Sequence, residues 1–354
     1  MAPTVAEMFE HQGRTDYYWS DTENTHKSRN REMVKAHGTE IKKLYGPNPW
    51  IAYLLTPFVF LQLYLAYRAK DMGWPTFLLV AYFVGGTVVH SCFLAIHEVT
   101  HNLCFQTPLY NDMYALFVNS VVPAPYAMMF KTYHAEHHRY LGWDGVDADV
   151  PTRFEAKFLS NYVGKFFFLT FQVLFYAFRP TVVRLIKFDR MHVMNYVVQL
   201  TFNYLIYYFC GWWPLIYLLV SIFCGTSWHP LGGHFISEHF IFEGNGEQET
   251  FSYYGILNLV TWNAGYHVEH HDFPNIPWCH IAKLNTIAPE FYVDLYRTKS
   301  WPGTFFDFLL DTDVSLSSRV VREKDAGKRE KLLPTSTAVL KTALPHEGPC
   351  EWKL

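Results

Sequence analysis

Charge is what this sequence lacks. Asp, Glu, Lys and Arg make up 17% of its 354 residues, against about 25% in a soluble domain. Half of the residues are apolar and 18% are aromatic, so the shortage points to a membrane rather than to an aqueous core. The formal charge of −3 supplies no basic field, and no nucleic-acid partner is expected. Six cysteines stand at 92, 104, 210, 224, 279 and 350 without a C-x-x-C pair. Several lie in apolar runs and read as buried thiols, not as a disulfide frame. No G-x-G-x-x-G follows a strand, which excludes the usual dinucleotide site, and no fused haem domain is evident. The polar N-terminus holds no secretory signal. Ala2 stands where N-myristoylation needs glycine.

What is present is a set of long apolar runs. Trp50 to about Tyr67 and Pro75–Ile96 approach the ~20 residues a helix needs to span a bilayer, and read as a hairpin. Val193–Tyr208 and Trp213–Trp228 read as a second hairpin. Between them, Phe158–Phe178 is rich in aromatics but carries Lys165 and Gln172, which suit an in-plane interfacial helix better than a span. Nine Lys/Arg fall between Lys131 and Arg190, and by the positive-inside rule that region is cytosolic. The expected fold is therefore all-α and integral to the membrane: four transmembrane helices in two hairpins, with a cytosolic histidine-rich helical cap and interfacial helices. Three segments are expected: a cytosolic N-terminal segment over 1–49, a membrane domain over 50–318, and a charged, disordered tail over 319–354.

Eight of the eighteen histidines occupy three short windows, His97-Glu98-Val99-Thr100-His101, His134-Ala135-Glu136-His137-His138 and His267-Val268-Glu269-His270-His271. On a helix, the i, i+3 and i+4 spacing places the imidazoles of a window on one face. Such packed rings would repel when protonated and would be costly when buried unpaired. A bound cation removes both problems, and neutral imidazole is the commonest metal-binding side chain. The first window also fits the H-E-x-x-H zinc peptidase pattern, but a single zinc takes four ligands and would leave the other six histidines without a role. Eight suit two metals with four or five ligands each. With an even number of spans between them, all three windows share one side of the membrane.

The boxes HEVTH, HAEHH and HVEHH resemble those of membrane fatty-acid desaturases and hydroxylases. Within that superfamily the chain is similar to the sphingolipid Δ4-desaturases through DYYWSDTENTHKSRNREMVKAHGTEIKKLYGPNPW, GGHFISEHF and NAGYHVEHHDFPNIP, over roughly residues 15–320. The resemblance implies a non-haem di-iron centre held by His97, His101, His134, His137, His138, His267, His270 and His271. It implies one further histidine from the loop after the fourth span, for which His234 in Gly232-Gly233-His234 is the first candidate, ahead of His229 and His239. No catalytic residue is expected beyond the metal centre. Glu98, Glu136 and Glu269 inside the boxes, and Asn263 four residues before His267, are candidates to orient the imidazoles from behind. Asp144, Asp147 and Asp149 could do the same, but read better as a polar loop.

The implied reaction is O2-dependent conversion of a dihydroceramide-type lipid to ceramide with a trans C4–C5 double bond. The electrons would come from cytochrome b5 and its reductase. The expected location is the endoplasmic reticulum membrane, with the active site and both termini cytosolic. Phe166–Phe168 and Tyr207–Phe209 could line an acyl tunnel, though packing or lipid contact explains them as well. Sphingolipid C4-hydroxylation, alone or beside desaturation, is the alternative on the same scaffold. A membrane zinc peptidase or a metal-binding receptor is a distant one.

Overall fold

The structure, a computed structural model, describes residues 16–242 and 248–323. Helices dominate, and the strands among the described residues are two-residue pairs. Helix α1 (Thr25–Lys42) is capped by Asn24, whose side-chain oxygen accepts from His26 N at 2.8 Å. Its inner residues Met33 and Ile41 pack with Val268, Phe273 and Leu284. The N-terminal segment is thus laid across the third histidine box.

Helix α2 (Trp50–Arg68) and the long helix α3 (Trp74–Thr100), which holds a π-helical turn at Ala81–Gly86, form the first hairpin. Large apolar side chains such as Tyr53, Phe60, Leu79 and Phe83 stand exposed on them, as bilayer contact requires. Two shorter helices follow, α4 (Pro108–Asn119) and α5 (Ala127–Arg139), with α5 carrying the second box. A polar spine fixes the turn between them. Asn119 Oδ1 accepts from Tyr126 N and Ala127 N, at 3.0 and 2.8 Å, and its amide donates to Val122 O, Ala124 O and Gln199 Oε1. One buried asparagine therefore satisfies backbone groups on both sides of the turn.

Helices α6 (Arg153–Leu159) and α7 (Tyr162–Val183) come next, then α8 (Arg190–Cys210) and α9 (Trp213–Thr226), which turn on each other at Gly211 and Trp212. Helix α2 with its 3-10 extension (Trp50–Asp71), α3 and α7 are long and apolar enough to cross a membrane; α9 is a shorter apolar helix. Helix α9 packs between α2 and α3. A Cβ on Gly225 would lie 2.4 Å from Gly86 O, so this crossing is open only to glycine.

The charge-based case for an interfacial α7 loses its footing. Lys165 Nζ donates inward to Asp311 O at 2.6 Å, and Gln172 Nε2 donates to Thr226 O at 2.5 Å. Neither group reaches for a lipid headgroup. The aromatic triplets do not line a tunnel either. Phe166, Phe167, Tyr207, Tyr208 and Phe209 stand exposed on the outer surface, and Phe168 is buried against Phe308.

The chain then forms the single turn α10 (His234–Ser237), strand β2 (Ser252–Tyr253), α11 (His267–Asp272) with the third box, strand β3 (Arg297–Thr298) and α12 (Trp301–Leu310). Strand β2 pairs in parallel with β3. Strand β1 (Tyr18–Trp19) pairs in parallel with β4 (Val320–Val321). The expected tail boundary at 319 is therefore too early. Arg319 is buried and its NH2 lies 2.5 Å from Asp149 Oδ2; Arg322 grips Glu249 at 2.5 and 2.9 Å. Their charge looked like solvated tail in the sequence because their partners lie far away in the chain. The remainder of that tail, 324–354, lies outside the described residues, as do 1–15 of the N-terminal segment.

Candidate metal centre

Each box sits where a helix ends. His97 and His101 close α3, His134 to His138 close α5, and His267 to His271 make up most of α11. At about 100° per residue, positions i and i+4 lie only about 40° apart, while i+3 swings about 60° to the other side. The structure uses that divergence. His134 and His138 turn to one group with His97, His101 and His270, and all five ligand nitrogens lie within 4.8 Å of one another. His137, at i+3, turns to a second group with His239 and His271, joined by His267 through its 3.0 Å approach to His239. The third box repeats the pattern in reverse, sending His270 to the first group and the i, i+4 pair His267 and His271 to the second.

Within the first group, Nε2 to Nε2 separations are 2.9 Å for His97–His270, 3.0 Å for His101–His134, 2.9 Å for His134–His138 and 3.1 Å for His138–His270. In the second they are 3.1 Å for His137–His239, 3.0 Å for His239–His267 and 3.1 Å for His267–His271. The groups touch where the rings of His138 and His271 stack, centroids 4.2 Å apart.

Burial pushes the His101 imidazole down to about 3. It also holds His134, His138, His239, His267, His270 and His271 well below the ordinary imidazole range, with neighbouring rings adding to the effect. These rings are therefore neutral, the form that ligates. His137 is the exception: burial pulls it down, but the Asp147 carboxylate outweighs that and the net direction is up. Nine neutral or carboxylate-backed imidazoles with Nε2 lone pairs converging on two centres fit two cations of the transition series.

The eight box histidines come together as the spacing predicts, but His234 does not join them. Its Nδ1 lies 3.0 Å from His90 Nε2, away from both groups, and His239 takes the ninth place. The cause is local. A Cβ on Gly233 would lie 2.1 Å from Trp301 O, so the Gly-Gly pair serves tight packing on α12 and turns His234 back towards α3. His239 lies beyond the end of the α10 turn and faces the third box. Its Nδ1 donates to Glu249 O at 3.1 Å, which aims Nε2 into the group. His229 is not in either group; its Nε2 lies 3.4 Å from Thr87 Oγ1.

The acidic residues inside the boxes tie the centre to the chain around it. Glu98 Oε1 accepts from Trp278 N at 2.8 Å, Glu136 Oε1 pairs with Arg184 at 2.9 Å, and Glu269 accepts from Ser252, Tyr254 and Asn285 at 2.6–2.7 Å. Asn263 does not share a helical face with His267. It sits at φ 55°, next to Trp262 also at φ 55°, and its amide donates to Trp278 O. A left-handed Trp is a costly conformation, held here by the indole N–H donating to Ser91 O at 3.0 Å.

The groups that do face ring nitrogens are others. Asp147 Oδ1 accepts from His137 Nδ1 at 2.9 Å, and Asp147 is itself fixed by Gly142 N and Asp149 N. Asp144 instead pairs with Arg153. Glu238 Oε1 approaches His267 Nδ1 at 3.4 Å. Burial, reinforced by Asp149, pushes the Glu238 carboxyl well above its ordinary range. His26, one of the isolated histidines, bonds Asp272 and Thr250 and lies 5.0 Å from the His271 ring. Asp147 had a sequence signal, its place nine residues after His138. His26 and Glu238 had none.

Comparison with known proteins agrees with this geometry. The family profile for fatty acid desaturases matches residues 72–302, and the profile for sphingolipid Δ4-desaturase matches residues 13–50. The sphingolipid delta(4)-desaturase of Schizosaccharomyces pombe is 46% identical over 87% of this chain and 88% of its own. The human sphingolipid delta(4)-desaturase DES1 is 42% identical over 88% and 96%. A Caenorhabditis elegans relative, 41% identical over 88% and 85%, carries a name that joins delta(4)-desaturase to C4-monooxygenase. These relatives are enzymes of lipid oxidation and match most of the chain, which belongs to the sphingolipid Δ4-desaturase family of membrane fatty-acid desaturases.

Proposed function

We propose that the two histidine groups each hold one iron and that the enzyme converts dihydroceramide to ceramide by introducing a trans C4–C5 double bond. The carrying observation is the division of nine Nε2 atoms into groups of five and four, with neighbouring nitrogens 2.9–3.1 Å apart. When bound and reduced, the irons would supply activation of O2 for removal of one hydrogen from C4 and one from C5. The balance is one O2, two substrate hydrogens, two electrons and two protons, giving one alkene and two waters. The electrons would come from cytochrome b5 and its reductase.

The chain's own residues supply position. His97, His101, His134, His138 and His270 would hold one ion, and His137, His239, His267 and His271 the other. Asp147 and the Glu249 carbonyl hold the Nδ1 protons of His137 and His239, which leaves Nε2 of each as the donor lone pair. Phe130, stacked on His134 at 4.8 Å, helps keep water from that side of the centre.

Convergence of the boxes also supports a topology. Three apolar helices, α7, α8 and α9, separate the second box from the third, and only an even number of them can cross if both boxes share one pocket. Helices α8 and α9 turn on each other within two residues, so they cross as a pair, with α7 lying along the surface. With the Lys/Arg-rich stretch from Lys131 to Arg190 taken as the cytosolic side, the active site and both termini would face the cytosol, and the proposed location is the endoplasmic reticulum membrane.

Expression in cells without their own desaturase, followed by lipid mass spectrometry, tests the activity. Ceramide bearing the C4–C5 alkene is the expected product. The name of the Caenorhabditis elegans relative favours a second reading, C4-hydroxylation, in which oxygen is delivered to C4 and no C5 hydrogen leaves. Phytoceramide as the sole product would replace the first reading with this one.

A further inference from the structure

Beside the second histidine group lies a polar patch that metal binding does not use. Glu238 sits next to His239 in the chain, with Oε1 3.4 Å from His267 Nδ1 and 3.9 Å from His234 Nε2. Neither approach completes a hydrogen bond, and His267 Nδ1 is buried without a partner. The Glu238 side chain keeps 16% of its surface accessible although His234 and His267 beside it keep 4% and 6%. A partly accessible carboxyl group that makes no hydrogen bond therefore stands one side chain away from the candidate metal site. His234 is held towards it from behind: His90 Nδ1 donates to Gly225 O at 2.8 Å, and His90 Nε2 meets His234 Nδ1 at 3.0 Å. His90 is fully buried. Two histidines and a carboxyl at such depth are costly unless they serve a polar partner.

The chemistry of the reaction says what that partner is. A desaturase acting mid-chain meets only methylene groups at its metals. In a sphingoid base C4 is bonded to C3, which carries a hydroxyl, and C3 is bonded to C2, which carries the amide nitrogen. A lipid held with C4 and C5 at the irons must place that hydroxyl and amide beside the same histidines. We infer that Glu238, steadied by His234 and His90, accepts a hydrogen bond from the C3 hydroxyl of the lipid head and so sets which bond is oxidised. Protonated or not, the carboxyl keeps an acceptor oxygen for this. The inference rests on the Δ4 reading and names Glu238 as a specificity-determining residue for it.

The test uses the full-length enzyme in membranes with two lipids, dihydroceramide and its 3-deoxy counterpart. Glu238→Ala is expected to raise KM for dihydroceramide about ten- to a hundredfold, the loss for a hydrogen bond to a charged or buried partner. It should change KM for the 3-deoxy lipid less than about threefold and keep the wild-type iron content. Glu238→Gln, which retains an acceptor oxygen, should recover most of the loss. Equal losses on both lipids, or loss of iron from Glu238→Ala, overturn the inference and make Glu238 a support for His267 instead. A wild-type enzyme that forms no C4–C5 alkene from either lipid overturns the Δ4 reading itself, whatever the variants do.

Discussion

The two histidine groups differ in how they are built. The first takes all five of its members from the three boxes. Helix spacing brings its rings together, and Phe130 and the neighbouring imidazoles hold them by packing. The second takes three members from the boxes and a fourth, His239, from a loop. Among the described residues, the carboxylates that lie within ion-pair distance of a grouped imidazole both belong to it, Asp147 at His137 and Glu238 at His267. The first site is written in local sequence; the second depends on tertiary structure, and so fails in more graded ways.

That contrast can be broken by mutation. The largest effect is expected from a ligand in either group. His97→Ala and His271→Ala should each lower turnover at least roughly a thousandfold, because a lost metal removes several kcal/mol of stabilisation at about 1.4 kcal/mol per tenfold. Unequal losses, with one variant near wild type, would mean that one group is not part of the reaction. His239→Ala should match them although it lies outside every box, while His234→Ala should stay within about tenfold of wild type, the worth of one neutral hydrogen bond. The reverse order would restore His234 as the ninth ligand. Asp147→Asn sharpens the difference in graded support: it should weaken iron retention in the second group about 10- to 100-fold and leave the first group loaded, as iron titration after partial chelation would show. The smallest effect on chemistry is expected away from both groups. Gly225→Ala overpacks the α3–α9 crossing and should cost about 1–3 kcal/mol of stability, read as a lower Tm with both irons retained.

The same contrast explains what was legible in the sequence. Eight imidazoles could be placed because their i, i+3 and i+4 spacing is a local property. His239 could not be, since a lone histidine in HFISEHF carries no period, and the Gly-Gly before His234 drew attention to the wrong residue. Gly233 answers to the Trp301 backbone and Gly232 to the Ser227 carbonyl. The helices of both hairpins were legible as apolar runs, with α8 starting three residues earlier than its apolar run because Asp189 caps it. The two-residue strand pairs were not. A pairing of Tyr18–Trp19 with Val320–Val321 has no alternation to read, and it joins positions about three hundred residues apart. Lys165, Arg319 and Arg322 misled for one shared reason: a charge looks solvated until its distant partner is known.

Iron analysis of the purified full-length protein tests the central claim most directly, on wild type, His239→Ala and His234→Ala side by side. Two irons per chain in wild type and in His234→Ala, with about one in His239→Ala, is the result predicted by groups of five and four imidazoles. One iron per chain in wild type, or two in His239→Ala, would contradict it.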